Sequence, residues 1–236
     1  MPLEALDSRR LYVQIADQVA TLIATGEYRP GDQLPSERDL ADTLRVSRPT
    51  VREAMIALEV RGLIDIRVGV GMFVRQHASR PAAQRVSVPR HTALEVIQAR
   101  LLIEPQVAAL AADSVTDADL NTLGVQLGAL KAAFDRGQWS AAADRAIHET
   151  VARATGNQLL ADLVEGLFND RDSAVALKFD EHLGQMPHVR DHSFDDHRKV
   201  VEALARRNAD AARAAMHEHL AYVQGEMLAG WSGDSP

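Results

Sequence analysis

The chain has 236 residues, enough for one large domain or two of ordinary size. Hydrophobic residues make up 46%, aromatics only 4% and charged residues 25%, which favours helices packed through small and aliphatic side chains. There is no cysteine, so disulfides, thiolate metal sites and cysteine nucleophiles are excluded. No apolar run approaches the ~20 residues of a membrane span, and Met1-Pro2-Leu3-Glu4 does not open a secretory leader, so a cytoplasmic protein without a membrane partner is expected. The net charge of −7 at first argues against nucleic acid. Residues 1–76, however, sum to only −1, and all ten of their cations are arginine, seven of them between Arg38 and Arg75. Tight DNA binding by such a domain needs a correctly placed site, because a diffuse basic footprint is missing.

In chain order, Leu11, Tyr12, Ile15, Val19, Leu22 and Ile23 carry helical spacing up to Gly26. Arg29-Pro30-Gly31-Asp32 marks a turn. Ser36, with Asp39 three residues on, opens a short helix through Leu40 and Leu44. Ser47 caps another, with Pro49 tolerated in its first turn and Val51, Ala54, Met55 and Leu58 on one face, ending at Gly62. Residues 63–67 and 72–74 read as strands of a hairpin joined through Gly69 and Gly71. Residues 77–91, with two prolines and little periodicity, read as a linker. From Thr92 onward all is helical. Thr92-x-x-Glu95 and Thr116-x-x-Asp119 are capping boxes, and further helices are expected near 140–155, 157–180, 193–207 and 209–229. The fold class is therefore mainly α: a winged helix-turn-helix in 1–76, a linker in 77–91 and an all-helical bundle in 92–236.

A helix-turn-helix puts the start of its second helix at base edges in the major groove. Arg48 and Arg52, one turn apart, share a face of the helix that Ser47 caps, and an arginine can pair bidentately with guanine. Thr50 and Ser47 can bond bases or phosphate, Arg38 can reach the groove or backbone, and the glycine-rich hairpin tip allows a close approach. Taken singly, each arginine is better explained as a solvated side chain on an amphipathic helix. The joint pattern Pro30-Gly31-Asp32-x-Leu34-Pro35-Ser36-Glu37-Arg38-x-Leu40-Ala41, Val46-Ser47-Arg48-x-Thr50-Val51-Arg52-Glu53-Ala54 and Gly69-x-Gly71-x-Phe73-Val74 closely resembles the DNA-binding domain of the GntR superfamily of bacterial regulators. That resemblance implies DNA contact by Arg38, Ser47, Arg48, Thr50 and Arg52, with Gly69 at the wing. Pro49 and Val68 depart from the polar residues often found at their positions.

Asp144 and His148 stand at i and i+4 on one helix face between apolar neighbours, a spacing that can chelate a divalent ion but often occurs by chance. His197 and His219 lie on core-facing positions of later helices and need partners. His182, His188 and His192 read as surface residues in or beside a polar loop. Residues 92–222 resemble the FCD effector domain of FadR-type GntR regulators. The resemblance rests on Arg100-x-x-x-Glu104, Asp144-x-x-x-His148, Gly156-Asn157, His197 and His219. It implies a divalent metal on Asp144, His148, His197 and His219, with zinc the leading identity and nickel or manganese also suited to three imidazoles and a carboxylate. It also implies a small organic acid beside the metal and Arg100, with Asn157 a weaker contact; an ion pair of Arg100 with Glu104, or a helix cap at Asn157, is the plainer reading. Ile147 departs from the family's usual phenylalanine.

These expectations converge on a homodimeric regulator of operator DNA, most simply a repressor, controlled by an organic or sugar acid. Residues 10–12 and 55–62 resemble members governing sugar-acid catabolism. Two rivals remain: a sensor of the metal itself, and a metal-dependent hydrolase with a DNA-targeting domain. Against the hydrolase, His148-Glu149 is not followed by a second histidine at 152, and Glu149 points about 100° away from His148 around the helix.

Overall fold

The computed structural model describes residues 11–76, 91–169 and 174–229. The expected linker lies outside them except for His91. The chain divides into two compact units, the second being Pro89–Ala229.

In the first unit, α1 (Leu11–Ala24) buries Tyr12, Val13, Ile15, Ala16 and Val19, the stripe its spacing predicts. α2 (Glu37–Leu44) starts where the Ser36 hydroxyl accepts the Asp39 amide, satisfying one of the helix's free N–H groups. It ends at Arg45, whose left-handed φ of 55° turns the chain toward α3. α3 (Arg48–Val60) is capped by Ser47, with Pro49 in the first turn where no intrahelical N–H is needed. β1 (Ile64–Arg67) and β2 (Gly71–Val74) form the antiparallel wing, pairing Ile64 with Val74 and Arg67 with Gly71. The tip turns through Gly69 at φ 75°, a backbone region that a Cβ disfavours.

One feature of this unit escaped the sequence. The segment after the Pro30-Gly31 turn adds an edge to the wing: Leu34 N–H donates to Met72 O at 2.8 Å, Val74 N–H to Asp32 O at 2.9 Å, and Gln33 bridges Phe73. Ile64, Met72, Val74 and Leu34 thereby reach the core made by Val51, Ala54, Met55 and Leu58.

The second unit contains, among the described residues, seven helices: α4 (Ala93–Ser114), α5 (Asp117–Asp135), α6 (Ala141–Ala154), α7 (Gln158–Asn169), α8 (Ala174–Gly184), α9 (Pro187–Ala205) and α10 (Ala209–Ala229). Both capping boxes form, at Thr92/Glu95 and Thr116/Asp119. α4 packs against α6, α7, α9 and α10 and is the spine of the bundle. Val107, Ala152, Val164 and Phe168 close a core cluster between α4, α6 and α7.

Two expectations need correction. The stretch 157–180 is two helices, α7 and α8, with residues 170–173 outside the described set. α9 begins at Pro187, not 193, so His188 and His192 are helical rather than in a loop, while His182 is buried on α8. Val189, Ser193, Asp196, His197, Val200, Ala203 and Leu204 form the buried face of α9, and before Ser193 it has Val189 alone, which hid the start of the period. No described helix is long and apolar enough to cross a membrane.

Candidate DNA-reading surface and metal centre

The start of α3 carries the candidate reading residues. Ser47 is exposed, and Arg48, Pro49 and Thr50 are half-buried. The Ser47 hydroxyl accepts the Thr50 amide and lies 2.7 Å from the Thr50 hydroxyl, so the two side chains fix one another at the tip of the helix. Arg38 is exposed in the first turn of α2, and Gly69 is exposed at the wing tip. Arg48→Ala should weaken operator binding by ~1–3 kcal/mol and relax sequence preference. Titration of operator and random duplex with the variant reads this; an equal loss on both makes Arg48 a phosphate anchor and overturns base reading.

Arg52 is the exception. It does not stand on an outer face with Arg48. It is 1% exposed, and its guanidinium clasps the buried Glu37 carboxylate, Nε to Oε1 at 3.0 Å and Nη2 to Oε2 at 2.7 Å. Residues 51–59 of α3 are all buried, so the surface it offers is confined to its first turn. The expected DNA contact by Arg52 is therefore replaced by a fork that ties α3 to α2.

In the helical unit, α6 delivers Asp144 and His148 to one face, α9 delivers His197, and α10 delivers His219. All four are buried, and one donor atom from each lies within 4.8 Å of the others. His148 Nε2 is 3.1 Å from His197 Nε2, and Asp144 Oδ1 is 3.2 Å from His197 Nε2 and 3.8 Å from His148 Nε2. Ligands about 2.0–2.1 Å from an ion lie about 2.9 Å apart at a right angle and about 3.4 Å apart at the tetrahedral angle. The cluster has that scale.

Hydrogen bonding orients two of the imidazoles. His197 Nδ1 lies 2.7 Å from Ser193 O, and a carbonyl only accepts, so Nδ1 carries the proton. His148 Nδ1 bonds the Glu104 carboxylate. Burial would raise the Glu104 pKa, but Arg100 and His148 outweigh it and hold the group down at about 2, so it too accepts. Desolvation lowers the pKa of His148 despite the neighbouring Glu104, and lowers that of His219 well below its ordinary value, with His197 and His148 adding to the effect. With both Nδ1 atoms engaged outward, the Nε2 atoms of His148 and His197 and an Asp144 carboxylate oxygen face one another. Nδ1 of His219 is also buried without a hydrogen-bond partner among the described residues. Such a set of acceptors is complementary to a cation.

Arg100 is 2% exposed, and its Nε meets Glu104 Oε1 at 2.5 Å while its guanidinium lies 4.3 Å from the Phe168 ring centre. The ion pair foreseen as the plainer reading is thus present, and Nη2 is buried without a hydrogen-bond partner among the described residues. Arg100 also lines a small cavity of about 30 Å³, mostly apolar, with Val96, Ile97, Phe179, Asp180 and Leu183. Asn157 is exposed, its Oδ1 accepts the Leu159 amide at 3.1 Å, the cap that was the alternative reading, and it does not line that cavity. Glu104 and Ser193, the groups that orient the imidazoles, were not singled out from sequence as such. Their spacing, four residues from Arg100 and from His197, was the only signal. Glu149, the base a hydrolase would need, is tied to Arg145 Nε at 2.5 Å.

A winged helix with its reading turn exposed, in a chain with a separate helical unit, defines a DNA-binding transcriptional regulator. Residues 11–74 match the family described as bacterial regulatory proteins, gntR family, and residues 95–222 match the FCD domain. The chain is 37% identical over 224 residues to the Exu regulon transcriptional regulator of Escherichia coli (strain K12), covering 92% of this chain and 84% of that one. It is 30% identical over 233 residues to the Uxu operon transcriptional regulator of the same organism, covering 95% and 89%. A solved structure of Streptococcus agalactiae GntR aligns with a TM-score of 0.47 at 29% identity, over 92% of this chain and 100% of that one. The chain belongs to the GntR family of bacterial regulatory proteins, in the group with an FCD domain. These relatives are named as regulators rather than enzymes.

Proposed function

We propose that the protein is a repressor that binds operator DNA as a homodimer and responds to a small carboxylate held in the FCD unit beside a divalent metal. Asp144, His148, His197 and His219 are the ligands, and zinc suits the donor set best, with nickel or manganese as the other candidates. The observation that carries this reading is the convergence of four buried side chains from three helices, with one ligand atom from each within 4.8 Å of the others. The acid binds at an open position of the ion with Arg100 as its cationic partner, since that guanidinium retains a buried, unspent donor. An organic or sugar acid is the class supported by the likeness to the Exu and Uxu regulators. The linker at 77–91 joins the units and transmits the change, which requires that the acid favour one of two arrangements of the DNA-binding units.

A thermal-shift screen of organic and sugar acids on the full chain, with and without chelator, tests this together with operator titration. Chelation is expected to lower the melting temperature and abolish the shift produced by the active acid, and operator affinity is expected to change only when acid is added. If no acid shifts melting and chelation changes nothing, both ligand assignments fall. If metal alone releases or grips the operator, the ion itself is the signal.

A further inference from the structure

Of the seven arginines from Arg38 to Arg75, three spend their charge inside the DNA-binding unit: Arg52 on Glu37 at 2.7 Å, Arg61 on Asp17 at 2.6 Å and Arg75 on Asp65 at 2.6 Å. Arg38 and Arg48 are the candidate reading residues. Arg45 and Arg67 are left. Both are exposed, and neither pairs with a carboxylate among the described residues. Arg45 also stands in a conformation that its side chain disfavours. Its φ of 55° and ψ of 46° are left-handed, where glycine sits freely and a residue with a Cβ is strained. Its backbone N–H closes α2 by donating to Ala41 O, which glycine would do as well, so the fold does not call for an arginine there. Arg45 lies two residues before Ser47, which puts its Cα within about 7 Å of the tip of α3. The major groove is ~12 Å wide, so a tip at its centre sets this neighbour at the wall, where the phosphates are.

Arg67 closes β1 beside the wing tip. Alternation along the hairpin turns Ile64, Met72 and Val74 inward and sets Arg67 on the outer face with Asp65 and Phe73. Its guanidinium carbon lies 4.6 Å from the Phe73 ring centre. That contact uses the flat face of the cation and leaves the N–H donors at its edge, the geometry that meets a phosphate. Asp65, the acid on that face, is already held by Arg75. Gln33 steadies the tip, its Nε2 donating to Val70 O at 3.4 Å. We propose that Arg45 and Arg67 are phosphate anchors, which grip the duplex backbone at any sequence and leave discrimination to the start of α3. Two placed charges then do what bulk charge does not, since the first 76 residues sum to −1. The Arg67 half of the inference rests on the reading of the wing as a DNA contact.

Fluorescence anisotropy of the full chain tests this between about 50 and 200 mM salt. The probes are a random-sequence duplex and a duplex selected by the wild type from a random pool. Arg45→Gly and Arg67→Gln should each weaken both duplexes by the same factor, about threefold or more at the lower salt, and make log affinity against log salt shallower by about 0.9 per copy bound. Arg45→Gly should also hold or raise the melting temperature, because glycine relieves the left-handed strain; an arginine kept for structure would lower it when lost. Arg67→Lys should retain the salt slope, since an ammonium also neutralises a phosphate. Arg61→Gln, which removes a cation already spent on Asp17, should leave the slope unchanged. An unchanged slope in Arg45→Gly or Arg67→Gln, or a loss confined to the selected duplex, overturns the anchor at that position. Val70 is 61% exposed at the wing tip, and Val70→Glu separates the two readings. If Val70→Glu and Arg67→Gln both bind like the wild type, the wing lies away from DNA. If Val70→Glu binds weakly while Arg67→Gln is unchanged, the wing is at DNA and Arg67 is not its anchor.

Discussion

Arg52→Ala should cost the DNA-binding unit about 3–5 kcal/mol of stability, because it strands the Glu37 carboxylate in the core. Glu37→Ala should cost a similar amount, although Glu37 is not a candidate for reading DNA. Both side chains are nearly inaccessible, at 1% and 3% exposure, and the fork between them is the charged link from α2 to α3. Replacing both with apolar residues of similar volume should recover most of the loss, since the pair's Coulomb attraction mainly offsets its own desolvation. Denaturant unfolding of the single and double variants measures these terms. If Arg52→Ala leaves stability intact but lowers operator affinity and reduces the salt slope by about one, Arg52 touches phosphate and the positioning role is refuted.

If the proposed metal site is right, His197→Ala should abolish tight divalent binding, since it removes the candidate ligand whose Nε2 lies within 3.2 Å of both Asp144 and His148. Glu104→Gln should be milder, about 10–100-fold in metal affinity, because it weakens the group that orients His148 without removing a donor. Competition with a chromophoric chelator measures both; equal affinity in wild type and His197→Ala would dismiss the centre. Acid gives a second handle on the same groups. His148 and His219 have folded pKa values below the ordinary 6.5, so the unfolded chain takes up protons first as pH falls. Stability of the chelated protein is therefore full above about pH 6.5 and is lost progressively on acidification below it. Glu104 acts in the same direction at lower pH, between its ordinary 4.5 and about 2. Denaturation of chelated protein at pH 7.5 and 5.5 should show the first of these losses; equal stability would mean that the imidazoles are not held neutral.

The sequence was most informative where local chemistry decides the outcome. Ser36, Ser47, Thr92 and Thr116 each cap the helix they were expected to cap, because a cap depends only on residues three or four apart. The four candidate ligands were recognisable from their spacing and resemblance, and they come together although they lie on three helices. What stayed hidden depended on neighbours distant in the chain. Helical periodicity puts Arg52 one turn from Arg48, but only the packing of α2 decides that it faces Glu37, fifteen residues earlier. Likewise the Arg100–Glu104 spacing is local, whereas the bond from Glu104 to His148 spans forty-four residues. The start of α9 was missed because Val189 is the one buried apolar residue between Pro187 and His192, too little to show a helical period.

The burial of α3 beyond its first turn bears on how much information one copy can extract from DNA. If Ser47, Arg48 and Thr50 at the tip, one arginine on α2 and the wing at Gly69 read DNA as proposed, a single unit discriminates only a few base pairs, each worth ~1–3 kcal/mol. A bacterial chromosome offers ~10⁶ or more competing positions, and a motif of a few base pairs recurs on it thousands of times. If two copies bind together as proposed, address on the chromosome resides in the distance and orientation between two short words rather than in either word. Operators for this protein should accordingly tolerate changes of letter better than changes of spacing.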